Sequence, residues 1–154
     1  MDSPLISVAS LYDRLSEGNL IIIDVSMKSV VGREPILYDS LLVIPNSRYI
    51  DLSKDLVDHT SSQVHTFPAQ EQVEKVINNL KITLATTVVL YDNQGIYSSP
   101  RAWWILKSFG LARVYILDGG LPEWIKHNYP VSSEYVTHPL CQHRVELSSS
   151  LVFK

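Results

Sequence analysis

The chain has 154 residues and a mass of 17.4 kDa, the size of one domain with room for a core of its own. Hydrophobic residues make up 45% and charged residues 19%, which excludes a disordered chain. The net charge of −3 argues against a generic nucleic-acid surface, and the one cysteine, Cys141, excludes both an internal disulfide and an all-cysteine metal site. Apolar runs such as Leu20–Ile23 are far shorter than the ~20 residues that span a bilayer. The Met-Asp-Ser-Pro start lacks the basic and apolar segments of a signal peptide. A cytoplasmic protein without membrane or nucleic-acid partners is expected.

In chain order, Leu5-Ile6-Ser7 reads as a short opening strand, and Ser7 caps a helix with Val8, Leu11, Tyr12 and Leu15 on one face. Gly18 suits a left-handed helix stop. Leu20–Val25 is apolar on both faces, the mark of a central parallel strand. Residues 26–48 are irregular, with a short strand expected at Arg48–Ile50. The polar stretch Asp51–Phe67 is a long loop, a kind usually kept for function or motion. Pro68 opens a helix through about Leu80 with Val73, Val76, Ile77 and Leu80 inward. Thr87–Tyr91 is a second buried strand. A helix follows, with Ser98 or Ser99 as cap, Pro100 in its first turn and Gly110 as stop. Val114–Leu117 is the next strand, Asp118-Gly119-Gly120 turns the chain, and Pro122 opens a helix to about His127. Alternating strands and helices imply an α/β domain with a parallel sheet covered on both faces. Ligands of such sheets sit beyond the carboxyl ends of the strands, which directs attention to Asp24, Asp92–Tyr97 and Asp118–Gly120.

The loop Asp92–Ser98 has the build of an anion cradle, because it leaves a buried strand and enters a helix N-terminus where backbone N–H groups converge. Gly95 permits the tight turn. Arg101, just inside the helix, either adds positive charge to the cradle or makes a structural ion pair.

Val88-Val89-Leu90-Tyr91-Asp92-Asn93-Gln94-Gly95-Ile96-Tyr97-Ser98-Ser99-Pro100-Arg101-Ala102-Trp103-Trp104 resembles the rhodanese superfamily. Within it, the likeness is to the N-terminal, non-catalytic domain of tandem thiosulfate/3-mercaptopyruvate sulfurtransferases. Leu117-Asp118-Gly119-Gly120-Leu121-Pro122-Glu123-Trp124, Tyr129-Pro130-Val131, Ile23-Asp24, Asp58–Ser62 and His65-Thr66-Phe67-Pro68 fit the same pattern, so the likeness covers about residues 5–133. It implies a rhodanese-like three-layer α/β/α fold with a mainly parallel sheet over residues 1–133. Residues 134–154 are then a tail or the start of a linker to an absent second domain. No cofactor or metal is implied.

The resemblance also marks departures. The family's His-Ile-Pro-Gly-Ala segment reads Val43-Ile44-Pro45-Asn46-Ser47. More important, active rhodanese domains begin the loop with a cysteine that carries sulfur as a persulfide, and Asp92 stands there instead. A carboxylate forms no persulfide, but it can accept hydrogen bonds from the loop N–H groups. Asp92, Asn93, Gln94, Gly95, Ile96 and Tyr97 are therefore read as an active-site-like loop without turnover. The family chemistry, sulfur transfer from thiosulfate or 3-mercaptopyruvate to a thiophilic acceptor, would need a cysteine in a second rhodanese domain. His65 and Arg101 are candidates to face the cleft between the domains. A neighbouring acidic position of the family reads Ser53, which leaves Asp51, Asp55 or Asp58 as substitutes; a solvated loop histidine is the plainer reading of His65, as of His59.

Cys141 lies past the cradle, and its neighbours His138 and His143 do not make a catalytic pair by adjacency alone. Aspartyl-phosphate chemistry at Asp92 would want a second acid where the loop offers Asn93 and Gln94. Trp103, Trp104 and Trp124 are expected in the core or at a domain contact; adjacent helical residues point ~100° apart, so one of the Trp103–Trp104 pair faces elsewhere. A catalytically dead, free-standing binding or regulatory module is the alternative to half of an enzyme. A weak anion-binding domain is a third, opposed by the fixed carboxylate of Asp92.

Overall fold

The computed structural model describes residues 3–27, 30–32, 34–52 and 70–136. Among them, five strands form one sheet: β1 (Leu5–Ile6), β2 (Leu20–Asp24), β3 (Ser47–Tyr49), β4 (Thr87–Tyr91) and β5 (Val114–Leu117). Their order is β1-β5-β4-β2-β3, and every pairing is parallel. The helices are α1 (Val8–Asp13), α2 (Gln70–Asn79), α3 (Ser99–Ser108) and α4 (Gly120–Lys126).

Side chains alternate across a strand, so the central strands β2 and β4 feed two cores. Ile23, Val25, Val88 and Leu90 pack on one face beneath Val73, Val76 and Ile77 of α2 and Ala102, Ile105 and Leu106 of α3. Ile22, Val89 and Tyr91 pack on the other, beneath Val8 and Leu11 of α1 and Leu121 and Trp124 of α4. The result is a three-layer α/β/α arrangement. The long apolar runs of β2 and β4 are explained by it, because a strand covered on both faces has no solvated side.

Several local expectations shift. β3 is Ser47–Tyr49, one residue earlier than the sequence suggests. α1 is capped by Ser7, whose Oγ accepts the Ser10 N–H at 3.1 Å, but it ends at Asp13. Gly18 is not in the left-handed region; the Arg14 N–H closes the helix on the Leu11 and Tyr12 carbonyls, so no stop is needed there. Gly110, with φ of 102°, does end the turn after α3. α4 starts at Gly120, not Pro122, because the Gly119 carbonyl already accepts the Glu123 N–H. Trp103 packs against the core and Trp124 is fully buried, whereas Trp104 is 56% exposed.

The chain also closes on itself beyond the last helix. Val43 and Ser132 exchange backbone hydrogen bonds at 2.9 and 2.7 Å, and the Val136 N–H donates to the Ser47 carbonyl at 2.8 Å. This strap brings Tyr135 to the carboxyl ends of β2 and β3.

Candidate functional site

β2 and β4 are neighbours, but the chain leaves β2 toward β3 and leaves β4 toward β5. The sheet therefore changes direction between them, and a crevice opens at their carboxyl ends. Asp24 ends β2, and Asp92 follows β4 directly. Both are buried.

After Asp92 the backbone folds back on itself, with Asp92 and Gly95 bridged and Gly95 at φ of 108°. The turn delivers four N–H groups to one carboxylate. Oδ1 of Asp92 accepts from Gln94 N at 2.9 Å, and Oδ2 accepts from Tyr97 N and Ser98 N at 2.9 Å and Ser99 N at 3.0 Å. Those last three lead into and open α3: Tyr97 and Ser98 precede it, and Ser99 is its first residue, whose N–H has no partner within the helix. Asp92 thus caps α3 from the end of the preceding strand, where the helix dipole also favours negative charge. Ser98 precedes the helix as the sequence suggests, but its hydroxyl does not cap; it donates to the Val25 carbonyl at 2.8 Å.

The loop is tied from three sides. Ser26 Oγ accepts the Asn93 N–H at 2.9 Å, and Tyr38 donates to the Asn93 carbonyl at 2.6 Å. The Gln94 side chain accepts the Ile36 N–H at 2.7 Å and donates to the Ile36 carbonyl at 3.0 Å. The Tyr97 phenol accepts the Val31 N–H at 2.7 Å and donates to the Val31 carbonyl at 3.2 Å. From below, Leu121 N donates to the Asp92 carbonyl at 3.0 Å. Gly120 is required by this contact, because a Cβ there would stand 2.3 Å from the Gly95 carbonyl oxygen and 2.6 Å from that of Asp92. Ile96 remains 42% exposed, and Val31, Ile36 and Leu37, in the segments that Tyr97 and Gln94 hold, are exposed as well.

Asp24 has a different shell. Oδ1 accepts from both the N–H and the hydroxyl of Ser26, and Oδ2 accepts from the Tyr135 phenol at 2.7 Å. Burial holds its pKa above the usual carboxylate value and the charge of Asp92 adds to that, against the opposing effect of these hydrogen bonds. Burial, then the charges of Asp92 and Asp24, likewise push the Tyr38 phenol up. Tyr91 and Tyr135 are raised by burial first and the Asp24 charge second.

Of the residues singled out from sequence, the structure brings Asp24 together with Asp92–Tyr97. Asp118 lies apart, at the end of β5, where it borders a shallow hollow with Ser7, Glu123 and His127. Arg101 is half-buried on the first turn of α3, while Asp92 takes its hydrogen bonds from backbone N–H groups. His65, with His59, Ser53, Asp55 and Asp58, lies outside the described residues, as do Cys141, His138 and His143. No metal-binding group of His, Cys, Asp and Glu occurs among the described residues, nor any helix long and apolar enough to cross a membrane. Sequence reasoning missed Ser26, Tyr38 and Tyr135. The Asp24-Val25-Ser26 spacing of an Asx turn was a usable signal for Ser26; nothing local marked the two tyrosines.

A parallel α/β sheet carrying a strand–loop–helix anion cradle at its switch point defines a class of domains. Residues 7–127 match the family model of the rhodanese-like domain, and the chain belongs to that family. It is 36% identical over 131 residues to the mitochondrial thiosulfate/3-mercaptopyruvate sulfurtransferase 1 of Arabidopsis thaliana, covering 84% of this chain and 34% of that protein. It is 35% identical over 111 residues to the 3-mercaptopyruvate sulfurtransferase of Homo sapiens, covering 71% of this chain and 37% of that protein. Among solved structures, a 3-mercaptopyruvate sulfotransferase from Escherichia coli superposes with a TM-score of 0.75 at 28% identity, over 90% of this chain and 53% of that one. The chain therefore spans about a third of the length of these curated relatives.

Proposed function

We propose that this chain is the non-catalytic rhodanese half of a tandem sulfurtransferase. A cysteine in a second rhodanese domain would carry the sulfur taken from thiosulfate or 3-mercaptopyruvate and pass it to a thiophilic acceptor. The observation that carries the reading is the filled cradle. Asp92 stands where the resemblance places the persulfide cysteine, and its carboxylate takes four backbone N–H groups of the loop and helix start. A persulfide needs a polarisable thiolate there, and a carboxylate supplies charge without that chemistry. An anionic donor approaching the loop meets a fixed charge of its own sign. The half contributes structure and one wall of the cleft. The exposed apolar side chains of Ile96 on the loop and of Val31 and Leu37 in the segments bonded to it support a role in docking the second domain.

The test is an assay of the 154-residue chain with thiosulfate or 3-mercaptopyruvate and cyanide. No thiocyanate above the uncatalysed background is expected. Robust turnover would overturn the reading. Addition of a cysteine-bearing second domain is expected to restore transfer; a coding frame that closes without one would favour the binding module instead.

A further inference from the structure

Beside the loop lies a hollow of about 380 Å³ that the reading above does not use. It opens at the carboxyl ends of β2 and β3. Asp24 lies at its floor, and Tyr38, Tyr49 and Tyr135 stand around it. The Tyr49 and Tyr135 rings stack with centroids 5.3 Å apart. Leu41 and Leu42 line the outer part.

The charge balance of this hollow is one-sided. No Lys, Arg or His occurs among its described lining residues. Among the described residues, the hydrogen bonds to Asp24 come from neutral groups alone, the Ser26 N–H and hydroxyl and the Tyr135 phenol. A second carboxylate, Asp92, is near enough for its charge to act on Asp24. Asp92 is compensated by four N–H groups and a helix dipole, and among the described residues Asp24 has no such device. A buried carboxylate with no counter-ion among its described neighbours favours the arrival of a cation, and phenol rings attract cations over their faces. The same field repels thiosulfate and other anionic sulfur donors, so this hollow is not a donor site.

We infer that the hollow binds a small organic cation with an ammonium or guanidinium head, the head set above Asp24 among the three tyrosines and an alkyl portion against Leu41 and Leu42. The inference stands on the hollow's own chemistry and does not depend on the sulfurtransferase reading.

The experiment is an amide NMR titration of the whole 154-residue chain with n-butylguanidinium, its uncharged isostere n-butylurea, and thiosulfate. Saturable shifts centred on Ser26, Tyr38 and Asn93 are expected with n-butylguanidinium, with affinity for n-butylurea at least ten-fold weaker and no response at these amides to thiosulfate. Asp24→Asn, with its fold checked by the same spectra, is expected to weaken n-butylguanidinium binding at least ten-fold. If that variant does not fold, the comparison of the two isosteres in the unaltered chain decides. Equal binding of n-butylurea, a thiosulfate response at the same amides, or no saturable shift with n-butylguanidinium would each overturn the inference.

Discussion

The backbone N–H of Ser99 donates to Oδ2 of Asp92 at 3.0 Å, so α3 takes its cap from a side chain seven residues upstream, on the far side of a loop. Removing the carboxylate leaves four N–H groups without it. Loss of a charged acceptor costs about 1.5–3 kcal/mol per strong hydrogen bond, and groups that share one acceptor lose less than the sum. Asp92→Ala is expected to lower unfolding free energy by about 3–4 kcal/mol in urea titrations. Asp92→Asn, which keeps one acceptor oxygen, should cost about half as much. Equal losses would show that one neutral oxygen contributes nothing and that the cap needs the whole carboxylate.

Gly120→Ala is expected to cost about 2–4 kcal/mol, because its Cβ would overlap two carbonyl oxygens as well as straining the backbone at φ of 61°. Gly110→Ala is the control. Its φ is also positive, at 102°, but nothing lies within 4 Å of the added carbon. About 1–2 kcal/mol of backbone strain is expected there. Thermal unfolding of the pair separates collision from strain.

Asp24 gives stability a pH dependence of definite sign. Its folded-state pKa lies above the ordinary 3.8, so the folded state holds this proton more tightly than the unfolded state. The contribution is fully present below that ordinary value and is lost as pH rises through the folded-state pKa. Urea titrations from pH 4 upward should show the wild type losing stability relative to Asp24→Asn. A gap that stays constant with pH would mean the carboxyl titrates alike in both states.

Asp92→Cys in a Cys141→Ser background converts the cap into a thiol facing the same N–H groups. Helix N-termini lower thiol pKa from the free value of about 8.5. Ultraviolet absorbance of the thiolate is expected to titrate clearly below that value. A thiol titrating at or above it would show that the cradle does not stabilise a larger, softer anion.

Gln94 fastens the segment before Tyr38 by bonding both backbone groups of Ile36. Gln94→Ala should speed hydrogen exchange at the Ile36 amide. The amides of β4, protected by the sheet, should change little.

What the sequence made legible were features written in neighbouring residues. Leu20–Asp24 and Thr87–Tyr91 announce buried strands because both faces need apolar side chains, and Pro100 and Gly110 frame α3 because each obeys a local backbone rule. Ser98 misled as a side-chain cap, since it carries a residue type that caps while a stronger acceptor arrives from Asp92. The Asp24 shell was hidden for a related reason. Tyr135 reaches it across 111 positions, by way of a strap that depends on Val43 meeting Ser132. No short-range pattern encodes such a meeting.

The contact of Gly120 and Leu121 with the Asp92–Gly95 backbone has a mechanical meaning. The end of β4, the loop and the starts of two helices on opposite faces of the sheet share backbone contacts and hydrogen bonds. They are expected to open as one cooperative unit, since parting the loop from α4 removes the Leu121–Asp92 bond and disturbs the turn that caps α3. A force applied at the rim would therefore be felt on both sides of the sheet, and the domain would behave there as a single stiff joint.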